Sequence, residues 1–285
     1  MKLVNYFLSS KNSFGLLKND NIFDIPSALE LSIHSLEDYI MMDCKPEIKL
    51  EQLLDSEPIK SESVILTAPI QHPRRVICVG KNYVDHALEV VSIKTEHAIP
   101  KSPIYFCKTP NFITTDKDSI ELSKLPTSKL DYEVELGVVI GKKGINIPLS
   151  KAQDYILGLV LANDFSARDL QSDHQQWFKG KNLDGFCPIA PELKLFSPND
   201  SLNFNITCSV NGEIRQSGFT KDLIFPIPYL ISNLSMGMTL LPGDIILTGT
   251  PSGVAHGNKN LPYLKTGDKV VSYAKGIGSM TIYIK

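Results

Sequence analysis

The chain has 285 residues, room at about 150 per domain for one large unit or a small one joined to a larger one, and it can bury a full core without disulfide or structural metal. With 29 Lys and Arg against 31 Asp and Glu, the net charge is −2, and the basic residues are scattered apart from pairs such as Arg74-Arg75 and Lys142-Lys143. That excludes the concentrated positive groove a nucleic-acid partner needs, while 42% hydrophobic residues exclude wholesale disorder and the lack of a long apolar run excludes a membrane partner.

Met1 to Leu8 carries a brief apolar run broken by Asn5 and lacks a small-residue cleavage site, which reads as a cytoplasmic protein. Residues 1–70 are expected to form a small N-terminal domain: strand-like pieces at Leu3–Leu8 and Phe14–Leu17, then helical spacing from Leu29 to Met42. Pro69 and Pro73 disfavour helix and mark a linker, so the larger domain is expected over 71–285. There the strand signals are Val76–Val79, Ile104–Lys108, Val134–Ile140, Leu157–Ala162, Phe204–Val210, Ile245–Leu247, Val270–Tyr273 and Met280–Ile284. Asn211-Gly212, Pro242-Gly243-Asp244 and Thr266-Gly267-Asp268 supply tight turns between strands. Helices are expected near Tyr83–Val91, at a capping box of Ser150 and Gln153, and near Pro228–Met236. The pattern is a β-rich α+β fold, without alternating βαβ units. Five cysteines (Cys44, Cys78, Cys107, Cys187, Cys208) include no C-x-x-C pair, so buried free thiols are expected.

The chemistry concentrates in Asp131-Tyr132-Glu133-Val134-Glu135-Leu136, which turns strongly apolar after Glu135. A period of two sends Glu133 and Glu135 to one face. Carboxylates that close raise each other's pKa unless a cation neutralises them, and they suit a hard ion such as Mg2+; an exposed strand start would accommodate them equally. Asp164 follows the apolar run Ile156–Ala162 and makes a third acid at a strand end. Asp164, Arg168 and Gln171 follow i, i+4, i+7 spacing, so one helical turn would align them, with Arg168 either gripping a substrate carboxylate or simply pairing with Asp164. His86 and Glu89 lie three apart in an expected helix, as a base oriented by an acid or as a solvated pair. His34, His72, His97, His174 and His256 have no such partner and read as structural or surface residues. Lys181 could stabilise an oxyanion, and Thr248-Gly249-Thr250-Pro251-Ser252-Gly253 could present backbone N-H groups and a hydroxyl to an anion; a solvated loop and an ordinary turn explain them as well.

In this order, Gly80-Lys81-Asn82-Tyr83-Val84-Asp85-His86, Glu133-Val134-Glu135-Leu136, Asn163-Asp164-Phe165-Ser166-Ala167-Arg168-Asp169-Leu170-Gln171, Gly180-Lys181 and Thr248-Gly249-Thr250-Pro251-Ser252-Gly253 closely resemble the fumarylacetoacetate hydrolase family, from about Arg74 to the carboxyl end. The resemblance implies a distorted β-roll catalytic domain, a homodimer, and a divalent metal on Glu133, Glu135 and Asp164: Mg2+, with Mn2+ or Ca2+ as alternatives. It also implies that Arg168, Gln171 and Thr250 bind substrate, that Lys181 stabilises negative charge, and that His86 with Glu89 activates water on a segment, about 84–98, that closes as a lid. The stretch before Tyr83 offers no fourth metal carboxylate, so the chain resembles the shorter bacterial-type branch. The expected activity is metal-dependent cleavage of a carbon-carbon bond in a small 2-oxo or diketo acid of acylpyruvate type. Alternatives are an oxaloacetate decarboxylase or tautomerase, an isomerase of an unsaturated 2-oxo diacid, and a catalytically silent metabolite-binding protein.

Overall fold

A computed structural model describes residues 1–42, 53, 56–90 and 99–285. Eighteen strands are found among them: β1 (Lys2–Leu8), β2 (Lys11–Lys18), β3 (Asn21–Asp24), β4 (Ile59–Lys60), β5 (Ile65–Thr67), β6 (Val76–Gly80), β7 (Ile104–Lys108), β8 (Ser119–Ile120), β9 (Leu130–Asp131), β10 (Val134–Ile140), β11 (Ile156–Asn163), β12 (Ser166–Ala167), β13 (Glu192–Leu195), β14 (Asn205–Val210), β15 (Glu213–Phe219), β16 (Ile245–Leu247), β17 (Lys269–Ala274) and β18 (Gly278–Ile284). The helices are α1 (Ile25–Ala28), α2 (Leu36–Met41), α3 (Val84–Glu89), α4 (Arg168–Asp173), α5 (Phe178–Lys181) and α6 (Ile227–Leu234).

The main sheet runs β4-β3-β2-β1-β13-β11-β10-β16-β6-β7, with β5 also on β1. A second sheet runs β15-β14-β17-β18-β8. Leu136, Val138 and Ile140 alternate along β10 toward a core shared with Cys208, Val270, Met280 and Ile282 of the second sheet. Val139 faces the opposite way, into a core with Leu3, Phe14, Leu36 and Ile40 from the amino-terminal region. Burial on both faces is why β10 is apolar without interruption after Glu135. The amino-terminal strands join the larger region directly, since Leu3 pairs with Leu193 across β1 and β13.

Local expectations fared unevenly. The helical spacing from Leu29 yields a helix only from Leu36, because Ser35 Oγ accepts the Asp38 N-H at 3.0 Å and the Leu36 N-H goes to Asn5 Oδ1 at 2.7 Å. Ser150 and Gln153 make no capping box; Pro148, with φ −67°, leads into a 3-10 helix over Leu149–Tyr155 that has no side-chain cap. The Asn211-Gly212 turn does adopt positive φ at both residues, 53° and 88°. Cys78, Cys187 and Cys208 are buried free thiols but Cys107 is exposed. Cys44, His97 and positions 91–98 of the expected lid lie outside the described residues. No helix among the described residues is long and apolar enough to cross a membrane.

Candidate active site

Antiparallel pairing of β10 with β11 sets Val134 opposite Asn163, so Glu133, one residue before β10, emerges beside Asp164, one residue after β11. The Asp164 N-H donates to Glu133 O at 2.8 Å, and Asn163 clamps the crossing by accepting the Glu133 N-H (2.9 Å) and donating to Ser272 Oγ (3.0 Å). Carboxylate oxygens of Glu133, Glu135 and Asp164 thereby lie within 4.8 Å of one another, all three residues buried. Glu133 and Glu135 do converge, although Glu133 stands outside the strand whose period suggested it.

Cations enclose this trio. Lys181 Nζ bridges Glu133 Oε2 (2.5 Å) and Asp164 Oδ2 (2.7 Å) from α5, where it is buried instead of lying in a solvated loop. Arg168 donates to Asp131 Oδ2 at 2.9 Å, Glu133 Oε1 at 2.6 Å and Gln171 Oε1 at 3.1 Å. Helix α4 begins at Arg168, so Asp164 is not on its face, and the expected i, i+4 pair gives way to bonds with acids from β9 and the start of β10. Lys108 Nζ, buried at the end of β7, donates to Asp164 Oδ1 and to Phe165 O (3.2 Å). Burial would raise the Glu133 carboxyl pKa, but the Lys181 and Arg168 charges outweigh it and hold the group ionised. The same acids outweigh burial at Lys181 and keep it protonated.

Glu135 accepts the Gly249 N-H at 2.7 Å, its one hydrogen bond among the described residues. Burial first, then the charges of Asp164 and Glu133, push its pKa well above the usual carboxylate range. Three hard oxygen donors around one point, one of them destabilised as an anion by its neighbours, fit a divalent cation.

On the other wall, His86 Nδ1 lies 3.6 Å from Glu89 Oε2 and has no hydrogen-bond partner among the described residues. Glu89 instead accepts the Gly253 N-H at 3.0 and 3.1 Å. Gly253 has φ 105°, and a Cβ there would overlap Arg215 O at 1.8 Å, so only glycine brings this N-H to Glu89. Thr250 Oγ1 donates to Val134 O (2.9 Å) and accepts from Gln216 Nε2 (2.7 Å). His86, Glu133, Glu135, Arg168, Gln171, Lys181 and Thr250 all border one cavity of about 230 Å³. Its remaining lining includes Lys81, Phe106, Trp177 and His256. His256, read from sequence as structural or surface, therefore faces the site, and burial and the Arg168 charge lower its pKa.

Residues 75–285 match the family described as Fumarylacetoacetate (FAA) hydrolase C-terminal. The chain belongs to the fumarylacetoacetate hydrolase family. Within that family it is similar to oxaloacetate tautomerase YisK of Bacillus subtilis, 46% identical over 220 residues, covering 76% of this chain and 72% of that protein. It is similar in structure to a fumarylacetoacetate hydrolase from Exiguobacterium antarcticum, with 34% identity and a TM-score of 0.85 over 100% of this chain and 99% of the other. A fumarylpyruvate hydrolase from Pseudomonas aeruginosa, solved with Mn2+ and pyruvate, is 28% identical with a TM-score of 0.63, covering 74% of this chain and 89% of that one. The family fold is thus the strand-rich α+β architecture described above.

Proposed function

We propose that the protein is a metal-dependent enzyme acting on small 2-oxo acids, and that its reaction is the keto-enol interconversion of oxaloacetate. The observation carrying this reading is the buried convergence of Glu133, Glu135 and Asp164 at a small cavity that Glu133 and Glu135 border together with Lys181 and Arg168. The similarity to a protein named oxaloacetate tautomerase favours this outcome. Held by the three carboxylates, Mg2+ or Mn2+ would supply Lewis acidity to the 2-oxo group. Lys181 would hold the charge that develops on the enolate oxygen. His86, whose Nδ1 lies 3.6 Å from Glu89 Oε2, would move the proton at the adjacent carbon. Arg168 and Gln171 would position the substrate carboxylate, while the Thr250 hydroxyl, whose proton goes to Val134 O, would shape the wall beside it.

A second reading, acylpyruvate-type cleavage, is favoured by the same proximity of His86 to Glu89, which suits activation of water. The two are told apart by supplying oxaloacetate and acetylpyruvate to the chain with Mg2+ or Mn2+, following enol absorbance, pyruvate and carbon dioxide. Faster enol-keto equilibration that a chelator abolishes supports the tautomerase. Pyruvate release from acetylpyruvate with no effect on oxaloacetate would overturn it. We further propose a cytoplasmic homodimer, for which light scattering at the mass of a single chain would be the contrary result.

A further inference from the structure

Three lysines and arginines border the cavity: Lys81, Arg168 and Lys181. Two of them are committed to acids, Arg168 to Asp131 and Glu133, and Lys181 to Glu133 and Asp164. Lys81 has no carboxylate partner among the described residues. Its backbone is also unusual. Lys81 has φ 55°, a left-handed conformation that glycine adopts freely and side-chain-bearing residues avoid.

The next residue maintains that conformation. Asn82 is wholly buried, its Nδ2 donating to Phe225 O (3.1 Å) and Thr248 O (2.8 Å) and its Oδ1 accepting the Phe225 N-H (2.8 Å). The Ile224 N-H adds a bond to Asn82 O at 2.8 Å. A lysine is thus fixed in a costly backbone state at the rim of a polar cavity, where glycine would meet the backbone requirement without cost. Such strain points to use of the side chain.

We propose that Lys81 receives the second carboxylate of a 2-oxo diacid whose 2-oxo acid end faces Glu133, Glu135 and Asp164, and so selects diacids over monoacids. The inference rests on the reading of the cavity as a site for small 2-oxo acids. The ammonium supplies a positive charge that no acid among the described residues neutralises, and a charge-assisted bond to a carboxylate is among the stronger polar contacts available.

Oxaloacetate and acetylpyruvate make a matched pair, because the second replaces one carboxylate oxygen by a methyl group and loses one negative charge. The full chain loaded with Mn2+ is compared as wild type, Lys81→Met and Lys81→Arg, reading ligand-induced thermal shift, which reports binding without turnover, and KM where turnover occurs. Lys81→Met is expected to weaken oxaloacetate by roughly 10- to 100-fold, the range for losing a hydrogen bond to a charged group, while acetylpyruvate binding stays unchanged. Lys81→Arg should retain most of the diacid preference. Equal losses for both ligands, or none for either, would overturn the assignment. If wild type binds neither ligand, the reading of the site falls and this inference with it, an outcome distinct from wild type binding both alike, which removes only the role of Lys81. Should Lys81→Met not fold, Lys81→Gln carries the same comparison.

Discussion

Replacing Lys181 by Met tests whether this side chain is the main countercharge of the metal-free site. Four buried acids, Asp131, Glu133, Glu135 and Asp164, face three buried cations, Lys108, Arg168 and Lys181, leaving one negative charge in excess. Burial, together with this excess, raises the pKa of Glu135. Without Lys181, Glu133 Oε2 and Asp164 Oδ2 lose the partner now at 2.5 and 2.7 Å. Removing one member of a buried ion pair costs about 3 to 5 kcal/mol. Arg168 remains on Glu133 and Lys108 on Asp164, which argues for the lower end, about 3 kcal/mol. At roughly 2 to 4 °C per kcal/mol, the chelator-treated variant should melt roughly 6 to 12 °C below wild type in scanning calorimetry. Adding Mn2+ should narrow that gap, since the cation supplies the missing positive charge, while turnover falls by on the order of 100-fold or more if Lys181 holds the enolate charge as proposed. A metal-free variant melting at the wild-type temperature, or a gap widened by Mn2+, would refute the countercharge argument.

If Glu135, whose pKa burial and the neighbouring acids raise, is a metal ligand as proposed, Mn2+ affinity should rise with pH above the ordinary carboxylate range, with proton release in calorimetry; pH-independent affinity would be the contrary result. Because its pKa is raised in the folded state, Glu135 contributes stability that is full below the unfolded value and is lost as pH rises; Glu133, with a lowered pKa, contributes stability present above the unfolded value and lost as pH falls. Gly80→Ala would put a Cβ 2.3 Å from Trp177 Cζ3, so the ring, which borders the cavity, must shift; about 1 to 3 kcal/mol of destabilisation, a higher KM and altered fluorescence of this chain's one tryptophan are expected. Asn163→Ala breaks the clamp between Glu133 and Ser272 and should weaken Mn2+ binding in calorimetry along with stability, about 1 to 3 kcal/mol for the latter.

What the amino-acid order determines here is local. Ile104–Lys108, Val134–Ile140 and Ile245–Leu247 are strands at the bounds their apolar, β-branched runs imply, because burial on a sheet rewards such runs regardless of their partners. Asn211-Gly212 turns as its permissive backbone requires. The acids Glu133, Glu135 and Asp164 are conspicuous because charge beside a buried strand is costly without a purpose. Only the tertiary structure decides the rest. Lys108 and Asp131 resemble any strand-end lysine or surface aspartate until the main sheet and the β9–β12 pair bring them to Asp164 and Arg168. Gln216 is wholly buried, yet its role is apparent only when β14 and β15 fold over Val134 and Thr250. His256 reaches the cavity because Asp131 accepts its backbone N-H, a bond across 125 residues. Helical spacing at Leu29 and capping residues at Ser150 are overridden in the same way, by Asn5 binding the start of α2 and by Pro148 setting the backbone. Periodicity reports what each segment buries, whereas ion pairing among distant polar side chains depends on which strand ends the sheet places side by side.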